Sequence, residues 1–246
     1  MRNSVRMAVA LCGLGMGLAF GVHAQTMRKV GLTQRVGPVT IDARWKDSLD
    51  AFAAADQLHA PREGGVLFVG SSSIRLWNDL ETQFETAAVI KRGFGGSRMS
   101  DCARYVEQLV LPYKPRLVVV YAGDNDLAEG RSPQDVLESF TEFVEKVREA
   151  LPETRIAYLS IKPSPLRAAL MPAVLQTNAL IAKYSAASAN LDFIDVYSKM
   201  LDADGKPRAD LFLADSLHLN PAGYAVWKTE IASHLGPVAA LRAPSP

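Results

Sequence analysis

The sequence predicts a three-layer α/β/α sandwich built on a five-stranded, mostly parallel sheet. Three observations carry that expectation. Short apolar runs without polar alternation recur along the chain, as strands covered on both faces require. Helix-forming stretches lie between them, the alternation of an α/β domain. The length, 246 residues with 48% hydrophobic and 22% charged side chains, is enough for one substantial core.

Residues 1–24 come first and stand apart. Arg2 and Arg6 precede the apolar run Met7 to Val22, and Val22-His23-Ala24 offers small residues where a signal peptidase cuts. The run is short for a bilayer core, which needs about 20 apolar residues, so cleavage near Ala24 is expected rather than a stable membrane span. Export to the periplasm or the exterior follows. Taking Arg2 and Arg6 from the 27 basic residues leaves 25 against 26 acidic ones, a nearly neutral chain with no basic excess to bind nucleic acid. Only Cys102 then remains, so no intramolecular disulfide can form, and its place in a helical stretch reads as a small buried hydrophobe.

Residues 25–60 form the next section. Thr26 to Thr40 is polar and broken at Gly31 and Gly37-Pro38, the pattern of an extended arm lying on the domain or partly disordered. Trp45 to Leu58 sets Trp45, Leu49, Phe52 and Ala53 on one helical face before Pro61 and Gly64-Gly65. The main domain is expected over residues 61–246. Its strands are Val66 to Val69, Ala88 to Ile90, Leu117 to Tyr121, Ile156 to Ile161 and Leu191 to Val196. Its helices are Met99 to Val110, Pro133 to Leu151, Ala169 to Ala187 and Pro221 to Leu235. Ser132-Pro133 and Asn220-Pro221 are helix starts, with a capping side chain and a first-turn proline.

Ligands of such sheets bind at the carboxyl ends of the strands, so the loops there are the candidates for chemistry. Gly70-Ser71-Ser72-Ser73 leaves the first strand, and a serine on that turn holds its hydroxyl at the sheet edge and its amide near a helix N-terminus. An uncharged serine needs a base, and histidine titrates nearest neutrality. His59 precedes the sheet and His234 ends the last helix, which leaves His218, with Asp215 three residues earlier able to orient its ring. The middle loops, Gly93 to Arg98 and Gly123 to Asp126, offer the Gly96 amide and the Asn125 side chain as donors to an oxyanion. Ordinary readings exist for each: capping serine, surface histidine, tight glycine turn, turn asparagine.

Together, Val-Gly-Ser-Ser-Ser, Arg-Gly-Phe-Gly-Gly-Ser, Gly-Asp-Asn-Asp and Asp-Ser-Leu-His resemble the four blocks of the SGNH hydrolases, the GDSL-type esterases and lipases. The general look is similar to the platelet-activating-factor acetylhydrolase-like branch, over about Val66 to Leu235. The resemblance implies a flavodoxin-like sandwich and a serine esterase without metal or cofactor, its ester substrate small or polymer-borne: the family spans acetylated carbohydrate and cell-wall polymers, short acyl esters and lysophospholipids, and acetyl or short acyl groups are expected here. It puts the nucleophile at Ser72, the base at His218 with Asp215 behind it, and the oxyanion donors at Ser72, Gly96 and Asn125. Ser71 stands where the family usually has aspartate, which leaves Ser71 and Ser73 open as alternative nucleophiles. Lys162 to Arg167 and Arg98 are further loop residues, read as connection and solvated cation, with substrate contact the alternative. Two other functions compete: a catalytically silent binding protein of the same fold, and a flavin-binding protein cradling phosphate at Ser71 to Ser73.

Overall fold

Five strands and nine α-helices emerge from these runs in the computed structural model, which describes residues 40–235. The order is α1 (Ala43–Leu58), β1 (Val66–Gly70), α2 (Ser72–Arg75), α3 (Leu80–Gln83), β2 (Val89–Gly93), α4 (Met99–Arg104), α5 (Val106–Leu109), β3 (Leu117–Tyr121), α6 (Asp124–Ala128), α7 (Pro133–Ala150), β4 (Arg155–Leu159), α8 (Met171–Ala186), β5 (Leu191–Ile194) and α9 (Pro221–Ala232). All pairings are parallel, in the order β2-β1-β3-β4-β5. That is the flavodoxin-like order, whose switch point falls between β1 and β3.

Successive side chains of a strand point to opposite faces, and here both faces are covered. Leu67, Val69, Val118, Val120, Ile156 and Tyr158 face Phe140, Phe143, Val147 and Ile181 in one apolar cluster. Val66, Phe68, Val119, Tyr121 and Ala157 face Ile74, Trp77, Trp227 and Ile231 in the other. Three layers result. Ser132 and Asn220 cap α7 and α9 as expected, accepting from the Asp135 and Gly223 amides at 3.2 and 3.1 Å.

Several boundaries differ from the expected ones for visible reasons. The stretch Met99 to Val110 is two helices, because Tyr105 adopts φ −106° and ψ 26°. Apolar spacing continues across that break, so periodicity could not reveal it. Arg167, at φ −110° and ψ 27°, and Pro172 in the first turn delay α8 to Met171, after a 3₁₀ segment over Pro165–Leu170. The ladder of β4 stops at Leu159 although the apolar run goes on. Asn178 of α8 takes both backbone groups of Ile161, at 2.8 and 3.0 Å, and turns the chain off the sheet toward Lys162. Edge strand β2 runs past Ile90 to Gly93, with Arg92 buried because Asp56, Tyr113 and the Phe52 ring surround it.

That arginine also binds α1 to the sheet edge. Trp45 and Leu49 are buried in the same cluster as Phe94 and Met99, Phe52 packs partly against it, and Ala53 is exposed. The described residues belong to one compact unit. The expected signal segment, and the arm up to residue 39, lie outside the described residues. No described helix is long and apolar enough to cross a membrane.

Candidate active site

Gly70 ends β1 at φ +147°, and a Cβ there would stand 1.9 Å from the Tyr121 carbonyl oxygen of β3, so only glycine permits the turn. The Ser71 amide donates to that carbonyl at 3.1 Å, and Ser72 then opens the single turn of α2, its carbonyl accepting from Leu76 at 2.8 Å. Gly93 lets α2 approach β2, since a Cβ would meet the Arg75 amide nitrogen at 2.3 Å. The turn is thus wedged between two strand ends. It leaves Ser71 and Ser73 buried and Ser72 partly open.

The last loop comes to meet it. Phe212 and Leu219 form an isolated antiparallel bridge, and Ser216 takes a left-handed conformation at φ 57° to close the bend between them. Asn220 holds the bend from outside, its Nδ2 donating to the carbonyls of Asp210 and Phe212 at 2.7 and 3.1 Å. Inside the bend, Asp215 accepts from the amides of Leu217 and His218 at 3.0 and 2.9 Å, while its Oδ2 lies 2.6 Å from His218 Nδ1. Those hydrogen bonds, the imidazole's first and then the amides', pull the carboxyl down to about 2. With Nδ1 donating to the carboxylate, Nε2 is the acceptor nitrogen, and it lies 3.0 Å from Ser72 Oγ, across 146 positions of sequence.

Among the described residues, Ser72 alone of the three serines has its hydroxyl within hydrogen-bond distance of that ring. Ser73 is turned inward, its carbonyl accepting from Tyr224 Oη at 2.9 Å. His59 caps the end of α1, and His234 faces Asp192 of β5 at 3.9 Å.

The glycine and asparagine loops follow β2 and β3, the strands on either side of β1, so they flank Ser72. Gly96 has φ +80°, and its carbonyl accepts from Arg44 of α1 at 3.3 Å. Asn125 Nδ2 donates to the Ser97 carbonyl at 3.0 Å, and the Met99 amide donates to buried Asp126 at 2.9 Å, which fastens the two loops together. Burial raises the Asp126 carboxyl above its usual range, against the pull of the Met99 amide.

Other charged loop residues are not where a solvated connection would put them. Lys162 is 2% exposed and donates to Asp124 at 2.9 Å and to Tyr121 Oη at 3.1 Å. Burial opposes the charge on both partners, yet Asp124 and Tyr121 hold Lys162 above its ordinary pKa, and Lys162 with Arg167 holds Asp124 below its own. Arg167 Nη2 donates to Asn125 Oδ1 at 3.0 Å. Arg98 is engaged with Asp101 at 3.0 and 3.1 Å and with Glu129 at 3.4 Å. Sequence reasoning missed Arg44 and the Asn220 amide, and read Arg167 as part of a connection. The available signal was Lys162, a charged residue directly after a buried strand, with Asp124 beside Asn125. Cys102 is fully buried, and burial pushes its thiol pKa up, away from the reactive thiolate. Among the described residues no three His, Cys, Asp or Glu side chains gather as a metal site.

A sequence model of the GDSL-like Lipase/Acylhydrolase family matches residues 65–226, a span that contains Ser72, Gly96, Asn125, Asp215 and His218. No curated protein matches the chain. Solved structures similar to it include a Streptococcus pneumonia protein named for platelet activating factor, 19% identical with TM-score 0.69 over 78% of this chain and 92% of that one. A GDSL-like lipase of Bacteroides thetaiotaomicron VPI-5482 is 22% identical, with TM-score 0.65 over 76% of this chain and 96% of the other. A carbohydrate esterase family 3 protein from Talaromyces cellulolyticus is 19% identical, with TM-score 0.57 over 70% and 96%. At such identities the likeness is one of fold.

Proposed function

The chain belongs to the GDSL-like lipase/acylhydrolase family and is a carboxylic ester hydrolase; from that premise we propose that it is an exported serine esterase in which Ser72, His218 and Asp215 form the catalytic triad. The observation that carries the proposal is the unbroken line from Ser72 Oγ through His218 to Asp215, at 3.0 and 2.6 Å. Ser72 attacks the ester carbonyl carbon as its hydroxyl proton passes to Nε2. Asp215 holds the ring in the tautomer that can accept that proton and stabilises the imidazolium that forms. The oxyanion lies against the Ser72 and Gly96 amides and the second Nδ2 hydrogen of Asn125. His218 then protonates the leaving alkoxide, an acyl-enzyme remains, and water releases the acid by the reverse sequence.

Short acyl groups, acetyl included, are the proposed substrates. The side chains of Asp215 and His218 are 48% and 24% exposed, so the machinery lies in an open rim that admits a small acyl group while a large leaving group stays in solvent. A carbohydrate esterase shares the fold, which places acetylated sugars in the panel of esters to be screened. Export rests on residues 1–24, read as a signal peptide cleaved near Ala24, with the hydrolase domain following the arm and first helix. A flavin-binding reading would leave Asp215 and His218 without a task, whereas here they engage the serine turn itself.

Ser72→Ala abolishes hydrolysis of a chromogenic short-chain ester on this account. Asn125→Ala lowers turnover by about two to three orders of magnitude, as the loss of one oxyanion donor does. Full activity in Ser72→Ala overturns the assignment. A folded wild-type protein inert toward every ester in the panel points instead to a silent binding protein.

A further inference from the structure

We infer that Arg167 is a positioning residue for the ester transition state, acting through Asn125; the inference rests on the oxyanion role proposed for that asparagine. One guanidinium spans two neighbouring residues at the start of α6: Nη1 lies 2.6 Å from Asp124 Oδ1, and Nη2 donates to Asn125 Oδ1 at 3.0 Å. An arginine only donates and a main-chain carbonyl only accepts. Arg167 on one side and the Ser97 carbonyl on the other, 3.0 Å from Nδ2, therefore fix which end of the Asn125 amide faces which partner. In the opposite orientation both partners would meet a group of their own kind. One Nδ2 hydrogen goes to Ser97, and the other is left for the oxyanion.

Charge gives the second reason. The side chains of Lys162, Asp124 and Arg167 are 1%, 8% and 18% exposed, a cluster of two cations and one carboxylate that carries a net positive charge in a region largely closed to water. Lys162 alone neutralises Asp124, so Arg167 is in excess for a purely structural ion pair, and an uncompensated buried charge is costly. Behind the Asn125 carbonyl, that surplus polarises the amide toward stronger donation and favours negative charge on its far side. An oxyanion supplies that charge only in the transition state, which is where a preorganised dipole counts.

The same short segment reaches the other half of the site. The Leu166 amide donates to the Ser216 carbonyl at 3.1 Å, within the bend that carries His218. Residues 166 and 167 thereby couple the base loop to the oxyanion loop, and the non-helical backbone of Arg167 allows its side chain to turn toward α6.

A double-mutant cycle on the full chain tests this, with kcat and KM measured on a chromogenic acetyl ester. Arg167→Gln is expected to lower kcat about ten- to hundredfold while KM stays within about threefold, the pattern of an interaction made only in the transition state. In the Asn125→Ala background the same change is expected to alter kcat by less than about twofold, because the residue through which Arg167 acts is gone. Arg167→Lys keeps a cation but not the fork, and it enters the same cycle if Arg167→Gln melts too early to assay. An equal loss in both backgrounds, a rise in KM at constant kcat, or no loss at all overturns the inference. Full activity in Asn125→Ala alone would instead remove the oxyanion reading on which it stands.

Discussion

Replacing Asp215 by asparagine separates catalysis from folding at this site. The carboxylate accepts three hydrogen bonds, from the Leu217 and His218 amides at 3.0 and 2.9 Å and from His218 Nδ1 at 2.6 Å. Asparagine can keep both backbone bonds through its carbonyl oxygen, so the bend survives. Its amide nitrogen, however, now stands where Oδ2 stood and is a donor, so Nδ1 becomes the acceptor and the ring proton moves to Nε2. The nitrogen 3.0 Å from Ser72 Oγ then has no lone pair with which to take the serine proton. In the serine-protease template this wrong-tautomer lesion costs about 10⁴ in kcat, or about 5.5 kcal/mol of transition-state stabilisation. A loss of about 10² to 10⁴ is expected here, the open rim allowing some rearrangement. Steady-state hydrolysis of a chromogenic acetyl ester measures it, with melting temperature as the control. Melting should shift by only a few degrees, because the side-chain bond is reversed rather than lost and is solvent-exposed. Activity within about threefold of wild type would refute the reasoning, as would a loss matched by unfolding.

Asn220→Ala removes the cap of α9 and the two bonds that hold the His218 bend. Cap loss costs about 0.5–2 kcal/mol and each lost bond about 1 kcal/mol, so urea denaturation should show a loss of about 2.5–4 kcal/mol, with turnover reduced as well. Less than about 0.5 kcal/mol would contradict the role given to this residue. Asp124→Asn strands Lys162 and Arg167 without their counter-charge and is expected to cost about 3–5 kcal/mol at pH 7. The Asp124 carboxyl is held below its unfolded value, so its contribution is complete above the unfolded pKa and is lost as pH falls through the folded one. Denaturation curves at a series of pH values below about 4 should accordingly fall less steeply for Asp124→Asn than for wild type.

The layers and the four site loops were legible in the sequence because they depend on local chemistry. Apolar runs such as Leu117–Tyr121 can be buried only inside a sandwich, and glycine or serine directly after such a run marks where backbone must turn at the sheet edge. His218 was found by elimination among few histidines, and Asp215 by its short spacing. What could not be read was tertiary. The break at Tyr105 leaves the apolar spacing intact, and the end of β4 is decided by Asn178, seventeen positions further on. Lys162 and Arg167 read as part of a Pro-rich connection because loops commonly are only that, and Arg44 on α1 carried no signal in the sequence. Only the folded chain brings Arg44 to the Gly96 carbonyl and Arg167 to Asn125. Arg98 departs from the solvated reading in the same way, engaged by Asp101 and Glu129.

Covalent labelling with a fluorophosphonate tests the central claim most directly, since that reagent reacts with a serine only when a neighbouring base activates it. Incubation of the purified protein, digestion and mass mapping should place one adduct on Ser72, with labelling lost in Ser72→Ala and strongly slowed in His218→Ala. An adduct on Ser71 or Ser73, or undiminished labelling in His218→Ala, would contradict the account.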